Sequence, residues 1–273
     1  MPCPINEIGN IDSVRVKRGS APMRIRLEVL VGVLAATGLI TALRTKANPQ
    51  GLASPAEATA QSSVASHDLS GVWNATSGVY QFAAFSKDEP PMTAWGKAKF
   101  DAARPSQGPN GVKLNETNDR VYKCTPPGMP YIYIQIFPMQ IIQTPKEVIE
   151  LFEYDHIVRH IYIDGRKHPS DVKPSYNGHS IGRWEGDTLV LDTIGLNGKN
   201  WLDRVGHPES AQMHILERIH RVDEKTLQVD LKFDDAKSYT KPWTAQIRFL
   251  LHPDWDILEH ICEDNLAFES FEH

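Results

Sequence analysis

Residues 178–193 read GHSIGRWEGDTLVLDT, and this stretch decides the fold class. Apolar and polar side chains alternate on both sides of Glu185-Gly186-Asp187, which has the composition of a short turn. The pattern predicts a β-hairpin whose strands cover Ser180–Trp184 and Thr188–Ile194.

Similar short strand patterns fill most of the chain after residue 68, and one helix interrupts them. The helix is predicted from Thr93, a natural N-cap, to Ala103 before the Arg104-Pro105 stop. The further strand candidates are Leu69–Trp73, Val79–Phe85, Tyr131–Phe137, Gln140–Gln143, Val148–Tyr154, Ile157–Ile163, Met213–Val222, Leu227–Phe233, Ala245–Leu251 and Ile257–Cys262.

The order of these elements defines the expected architecture. Strands do not alternate with helices, which argues against a parallel sheet built from β-α-β units. We predict an all-β fold, mainly antiparallel, with one or two short helices. Closure into a barrel removes exposed edges, so a lipocalin- or calycin-like barrel or a strongly curved sheet is expected. Barrels of about eight to ten strands leave room for one small ligand.

The charge is unevenly distributed along the 273 residues, whose net charge is −5. The first 60 residues carry +3 and the remainder −8. An acidic folded region argues against nucleic acid or an anionic membrane surface as the main partner.

The N-terminus has the layout of an export signal. Basic residues precede an apolar run over residues 27–43, and small polar residues follow it. Residues 1–46 are therefore predicted to be a targeting segment, either a cleaved signal peptide or an uncleaved inner-membrane anchor. Residues 47–66 are predicted to be a flexible linker, and residues 67–273 a single barrel-like domain. We expect a periplasmic or secreted protein that contacts membrane only through this segment, if it is retained.

Cysteine usage agrees with export. Cys3 lies in the predicted targeting segment, which leaves Cys124 and Cys262 in the folded region. In an oxidising compartment two cysteines most simply form one disulfide, and two buried thiols are the alternative.

Several motifs resemble those of a widespread, uncharacterised family of exported bacterial proteins. They are Asp68–Trp73, Pro91–Lys97, Trp184–Thr193, Trp201–Asp203 with Gly206–Pro208, and Tyr239–Trp243, and the match covers nearly all of residues 69–270. The resemblance implies export and a β-rich domain, and it implies no reaction.

The loop after the hairpin contains the densest group of aromatic and ionisable residues. Imidazole exchanges protons near neutral pH, and a nearby carboxylate can orient it. We therefore predict His207 as a catalytic acid or base with Asp203 in support. A purely structural loop is the alternative, in which Trp201 closes a barrel end and Asp203 caps a turn.

Charged residues also interrupt otherwise apolar strands. His160 and Arg218 are further catalytic candidates, and Arg159 is a ligand-binding candidate. A charge that faces the interior of a closed sheet needs a partner or a ligand, whereas one that faces solvent does not. The sequence leaves open which parity of each strand faces inward.

The aromatic candidates for ligand contact are Trp184, Trp201, Tyr239 and Trp243.

Two further sequence patterns resemble known kinds of site. Gly178–Gly182 fits the G-x-S-x-G pattern of serine hydrolases, but a strand follows it where that motif requires a helix. In a strand His156 and His160 lie about 13 Å apart, too far to share one ion. No metal and no cofactor are therefore predicted, although a metal held by single histidines of several strands stays an alternative.

These observations support three functions. The leading hypothesis is an exported barrel that binds a small apolar or aromatic molecule. The main alternative is a cofactor-free acid/base enzyme of the isomerase, hydratase or lyase type in the same pocket. The third is a structural protein associated with the envelope.

Overall fold

The computed structural model describes residues 67–76 and 83–264. The predicted targeting segment and linker lie outside these ranges, as does most of the predicted strand Val79–Phe85. Within the two described ranges, no helix is both long and apolar enough to cross a membrane.

Nine strands form a closed barrel in which each strand pairs with its neighbours in chain order and β9 pairs with β1. The predicted all-β fold is confirmed. The strands are β1 (Gly71–Ala75), β2 (Met139–Gln143), β3 (Glu147–Phe152), β4 (Val158–Tyr162), β5 (His179–Glu185), β6 (Thr188–Ile194), β7 (His214–Arg221), β8 (Thr226–Asp234) and β9 (Trp243–Leu251).

The pair β4–β5 is parallel, and every other pair is antiparallel. A closed barrel with an odd number of strands cannot alternate direction all the way round, so one parallel pair is required. Residues 163–178, called the crossover below, return the chain from the end of β4 to the start of β5.

The two ends of the barrel differ in the length of their connections. At the hairpin end, short turns join β2 to β3, β5 to β6 and β7 to β8. At the long-loop end lie residues 83–138, 153–157, 195–213 and 235–242. Every candidate site in a loop that follows β1, β6 or β8 is therefore at the long-loop end.

Strand alternation separates the core from the surface. In β8, Leu227, Val229 and Leu231 are buried, whereas Asp230 and Lys232 between and beyond them face outward. Burying one such aliphatic side chain stabilises the fold by about 1.5–3 kcal/mol. The same rule orients β4 and β7, so Arg159 and Glu217 face the barrel interior.

The predicted strand Tyr131–Phe137 is wrong. Residues Tyr131–Ile134 form a 3-10 helix in which all four side chains are buried. A half-buried strand buries one parity, whereas this segment enters the barrel at its long-loop end and buries both. Tyr133 reaches the strands β3 and β7, to which its hydroxyl is hydrogen bonded. The other 3-10 turns are Leu114–Glu116, Val121–Lys123 and Tyr154–His156.

The predicted helix is confirmed as α1, Ala94–Ala102. Thr93 caps it, and its hydroxyl accepts the backbone N–H of Gly96 at 3.0 Å. Gly96 packs directly on the backbone of the β8–β9 connection, because a Cβ built there would lie 2.1 Å from the carbonyl oxygen of Ser238. This contact holds α1 against the long-loop end.

The cysteines predicted to pair, Cys124 and Cys262, form a disulfide across 138 positions of sequence. The predicted strand Ile257–Cys262 is wrong, because β1 and β9 already close the barrel and leave no edge for another strand. This segment instead contacts the β3–β4 connection, where the backbone N–H of Cys262 donates to Asp155 at 2.8 Å and that of Leu258 to Glu153 at 2.9 Å.

Candidate functional site

The candidate site is built on the β6–β7 connection at the long-loop end. Residues Trp201 and Pro208 form an isolated antiparallel bridge, and the N–H of Leu202 donates to the carbonyl of His207 at 2.8 Å. Gly206 has a φ of 92°, and a Cβ there would meet that of Ala103 at 2.7 Å. Only glycine therefore permits this turn to approach the end of α1.

Asp203 organises both the turn and the ring of His207. Its Oδ1 accepts the backbone N–H groups of Val205 and His207, each at 3.2 Å. Its Oδ2 accepts the Nδ1–H of His207 at 2.6 Å, and both side chains are almost completely buried. Because a carboxylate can only accept, the proton of a neutral His207 lies on Nδ1 and leaves a lone pair on Nε2. That Nε2 has no hydrogen-bond partner among the described residues.

His207 lines a cavity of about 770 Å³ between three loops and α1. The ring of Phe100 stacks on the imidazole, with ring centroids 5.0 Å apart and planes 10° apart. Val205 and Pro109 extend the apolar wall, and the charged residues Lys87, Asp88 and Glu89 also line the cavity. The cavity thus combines an apolar side with a polar side, as small-molecule sites commonly do.

Buried carboxyl groups surround this turn. Burial, together with Asp235, raises the pKa of Glu209 well above its ordinary value. Burial also raises the pKa of Asp119 to about 6, although the Tyr131 hydroxyl donates to it at 2.8 Å. Asp235 is held by the hydroxyl groups of Ser210 and Ser238, at 2.7 and 2.6 Å. For Glu209 and Asp119, this lack of access to water favours the neutral carboxyl group. The same environment strengthens the interaction between Asp203 and His207.

Several of the predicted aromatic contacts lie at this end. Trp201 belongs to the same loop as His207, and the hydroxyl of Tyr239 donates to the carbonyl of Pro208 at 2.8 Å. Trp243 packs edge-on against Tyr239 with ring centroids 5.5 Å apart. Their predicted role in ligand binding stays a prediction.

Three of the predicted residues lie elsewhere. The exposed His160 faces outward from β4 and pairs with Glu147 at 3.1 Å. Arg218 faces outward from β7 and pairs with Glu185 at 2.9 Å. Trp184 stacks on His67 at the hairpin end, with ring centroids 4.6 Å apart. The structure does not bring these side chains to His207.

Arg159 lies inside the barrel and is fully paired. Its guanidinium donates to Glu150 at 3.1 Å, to Thr193 at 2.9 Å and to Ser180 at 3.1 Å, and it is also bonded to Glu217. The hydroxyl of Tyr133 completes this interior network, with oxygen-to-oxygen distances of 2.8 and 2.9 Å to the two glutamates. These contacts occupy the group that the sequence offered as a ligand contact.

The sequence reasoning missed a cluster of histidines on the outer face, which we call the histidine cluster. It consists of His168 in the crossover, His179 on β5, Asp192 on β6 and His214 on β7. The Nδ1 atoms of His168 and His179 are 2.8 Å apart, and Nε2 of His214 donates to Asp192 at 2.6 Å. In the sequence, His179, Asp192 and His214 occupy outward-facing positions of three adjacent strands. Inspection of each strand on its own does not detect such a group, because its members are neighbours across the sheet.

Two findings complete the description. Among residues 67–76 and 83–264, no group of three or more His, Cys, Asp or Glu side chains is placed to hold a metal ion. No family model, curated protein or solved structure matches the chain.

Proposed function

We propose that this protein binds a small molecule in the cavity beside His207 and moves a proton on it without a cofactor. One observation carries the proposal. His207 is anchored through Nδ1 to the buried Asp203 at 2.6 Å, while the ring lines a cavity and its Nε2 has no described partner. An oriented imidazole with an available nitrogen is the arrangement that general acid/base catalysis requires.

The chemistry follows from the two nitrogens of the ring. Nε2 removes a proton from the bound molecule, and Asp203 stabilises the imidazolium that forms. The same ring then returns the proton to a different atom of the substrate or to a leaving group. Isomerisation, hydration and elimination all consist of such steps.

The lining of the cavity favours a molecule with an apolar or aromatic part. Phe100, Val205 and Pro109 supply apolar contacts. Lys87 on the polar side is suited to an anionic or hydrogen-bonding group. Binding of such a molecule without turnover is the second candidate, and this apolar wall favours it.

Solvent deuterium exchange tests the proposal. The purified protein is incubated in heavy water with a panel of small keto, hydroxy and unsaturated acids and aromatic ketones, and mass spectrometry records deuterium incorporation. An acid/base enzyme exchanges the proton that it removes, so one compound gains mass. We expect His207→Gln to reduce that rate by about 10²–10⁴-fold.

Matched variants separate the possible outcomes. Asp203→Asn keeps the acceptor for Val205 and His207 N–H groups but presents an amide to the ring, so Nε2 carries the proton and activity falls. His160→Gln, on the exposed face of β4, leaves exchange unchanged. A compound that binds equally to wild type and to His207→Gln without exchange supports binding alone. If no compound binds and none exchanges, both candidates are contradicted and a structural role is favoured.

We further propose that the protein functions after export, in the periplasm or outside the cell. The Cys124–Cys262 disulfide supports this, because such bonds persist in oxidising compartments. The N-terminal mass of protein purified from its host tests the proposal. Loss of the targeting segment supports a cleaved signal, the full mass in the membrane fraction supports an anchor, and cytoplasmic protein with free thiols contradicts export.

A further inference from the structure

The histidine cluster is one of the attachments between the crossover and the outer face of the barrel. The crossover is not itself a strand of the barrel, and its regular pairing is one isolated bridge between Ser175 and Leu196. His168 contacts two strands directly, His179 on β5 and Asp192 on β6. Asp192 is in turn bonded to His214 on β7.

The contact between the two imidazoles depends on their protons. With the two Nδ1 atoms 2.8 Å apart, one must donate an N–H and the other must accept it with a lone pair. If both Nδ1 atoms carry protons, the hydrogen bond is lost and two positive charges face each other. The bond therefore holds only while one of the imidazoles is neutral.

We propose that the His168–His179 pair is an acid-sensitive fastener, which releases the crossover from the barrel when both imidazoles are protonated. The inference does not depend on the proposed function, since it concerns how one segment is held.

The neighbouring charges set the direction of the response. Burial lowers the pKa of His179, and His168 and Arg166 lower it further. Tyr162 on β4 also packs here, with its ring centroid 5.4 Å from that of His179. The carboxylate of Asp192 can balance one positive charge, because its Oδ1 lies 3.4 Å from Nε2 of His168. That Nε2 is buried and has no hydrogen-bond partner among the described residues.

These contacts determine whether the crossover is more stable at high or at low pH. Because folding lowers the pKa of His179, the unfolded or released state binds more protons once the pH falls below about 6.5, the ordinary value for histidine. The stabilisation is therefore complete above that pH and is lost as the pH falls through the lowered value.

Backbone hydrogen bonds connect the crossover to segments that border the candidate site. Ser175 donates its N–H to Gly195 at 3.0 Å and accepts that of Asn197 at 2.9 Å, at the start of the loop that contains His207. Tyr176 accepts the N–H of Met129 at 3.0 Å, at the entry to the 3-10 helix inside the barrel. Weakening the crossover thus loosens segments that border the site.

Hydrogen exchange measured by mass spectrometry tests the inference. Protection factors, corrected for intrinsic exchange, are compared at about pH 7.5 and about pH 5 for peptides of the crossover and of β8. We expect the crossover to lose about tenfold or more protection at the lower pH while β8 keeps its own. Equal protection of the wild-type crossover at both pH values would overturn the inference.

A matched variant of His179 removes the titratable group but keeps a hydrogen-bond acceptor for His168. In His179→Asn the amide oxygen takes the place of Nδ1 and accepts a hydrogen bond, but the side chain does not titrate. Its crossover should stay protected at low pH, whereas the exposed control His160→Gln should behave as the wild type. An acid response that persists in His179→Asn contradicts the proposal.

A second measurement covers the case in which His179→Asn does not fold. Imidazole nitrogen NMR of the wild type follows the protonation of His168 and His179 directly. Coincidence between protonation of the second ring and the loss of crossover protection supports the inference. Loss of protection while one ring is still neutral refutes it.

Discussion

Arg159 on β4 and Glu217 on β7 form a buried ion pair across the interior of the barrel, although β5 and β6 separate their strands in the sheet. Both side chains are essentially inaccessible to solvent. Glu150 on β3 shares the same guanidinium. The barrel thus contains one cation between two carboxylates, and desolvation raises the pKa of Glu150.

This arrangement predicts a large effect of Arg159→Met. Removal of the guanidinium leaves two buried carboxylates without a cation, and breaking a buried pair costs about 3–5 kcal/mol. Urea denaturation at neutral pH should show a loss of this size. Arg183→Met, which removes an exposed arginine from β5, should change stability by about 0.5 kcal/mol or less. A small effect of Arg159→Met would show that water or other side chains replace the cation.

Asp119 predicts a dependence of stability on pH. Burial raises its pKa from 3.8 to about 6, so the folded state favours the protonated carboxyl group. The stability that this group contributes is therefore complete below pH 3.8 and is lost as the pH rises towards about 6, by roughly 3 kcal/mol. Asp119→Asn should gain stability relative to the wild type across this range, measured by urea denaturation at several pH values.

The control for Asp119 is Asp101→Asn, because Asp101 is exposed on α1. Its stability relative to the wild type should not vary over the same range in the way that Asp119→Asn does. Parallel stability curves for Asp119→Asn and the wild type would mean that Asp119 is ionised in the folded protein without cost.

The disulfide should contribute to stability mainly through the unfolded state. Linking positions 138 residues apart restricts the unfolded chain, which corresponds to about 4–5 kcal/mol at most. Cys124→Ser combined with Cys262→Ser should lower the free energy of unfolding by up to this amount. Intact mass should rise by two hydrogens on reduction of the unfolded wild type. An unchanged mass on reduction would contradict the disulfide. If the double variant is as stable as the wild type, the disulfide does not contribute to stability.

Gly96→Ala distinguishes helix propensity from packing. Alanine normally stabilises a helix interior by about 1 kcal/mol relative to glycine. Here its Cβ would lie 2.1 Å from the carbonyl oxygen of Ser238, so α1 must move. We expect a net loss of about 1–3 kcal/mol in thermal or urea unfolding, and weaker ligand retention because Phe100 moves with the helix. Ala98→Ser, on the exposed face of α1, serves as control, and a stabilised Gly96→Ala would refute the packing argument.

The local patterns of the chain were sufficient to predict most of the barrel. Alternation in β8 and the Gly186 turn between β5 and β6 indicated strands and hairpins, because period-two burial is a property of each strand alone. Thr93 likewise indicated the start of α1. Alternation failed for Tyr131–Ile134, where both parities are buried, since apolar side chains on every face predict burial but not backbone shape.

The candidate site was predictable only where its members are close in sequence. Asp203 and His207 lie four residues apart, and the loop between them brings the carboxylate to the ring. The histidine cluster was not predictable in this way. His168 and His214 meet at Asp192 because of the parallel β4–β5 pair and the crossover that it requires.

Composition and periodicity by themselves determined the class of the fold and the position of its helix, and cysteine usage left a disulfide and two buried thiols open. The tertiary structure decided which charges face inward, which loops share an end and what closes the barrel. The physical reason is that propensity and alternation act over a few residues, whereas register, closure and ion pairs such as Arg159–Glu217 depend on contacts between strands that the chain order does not place together.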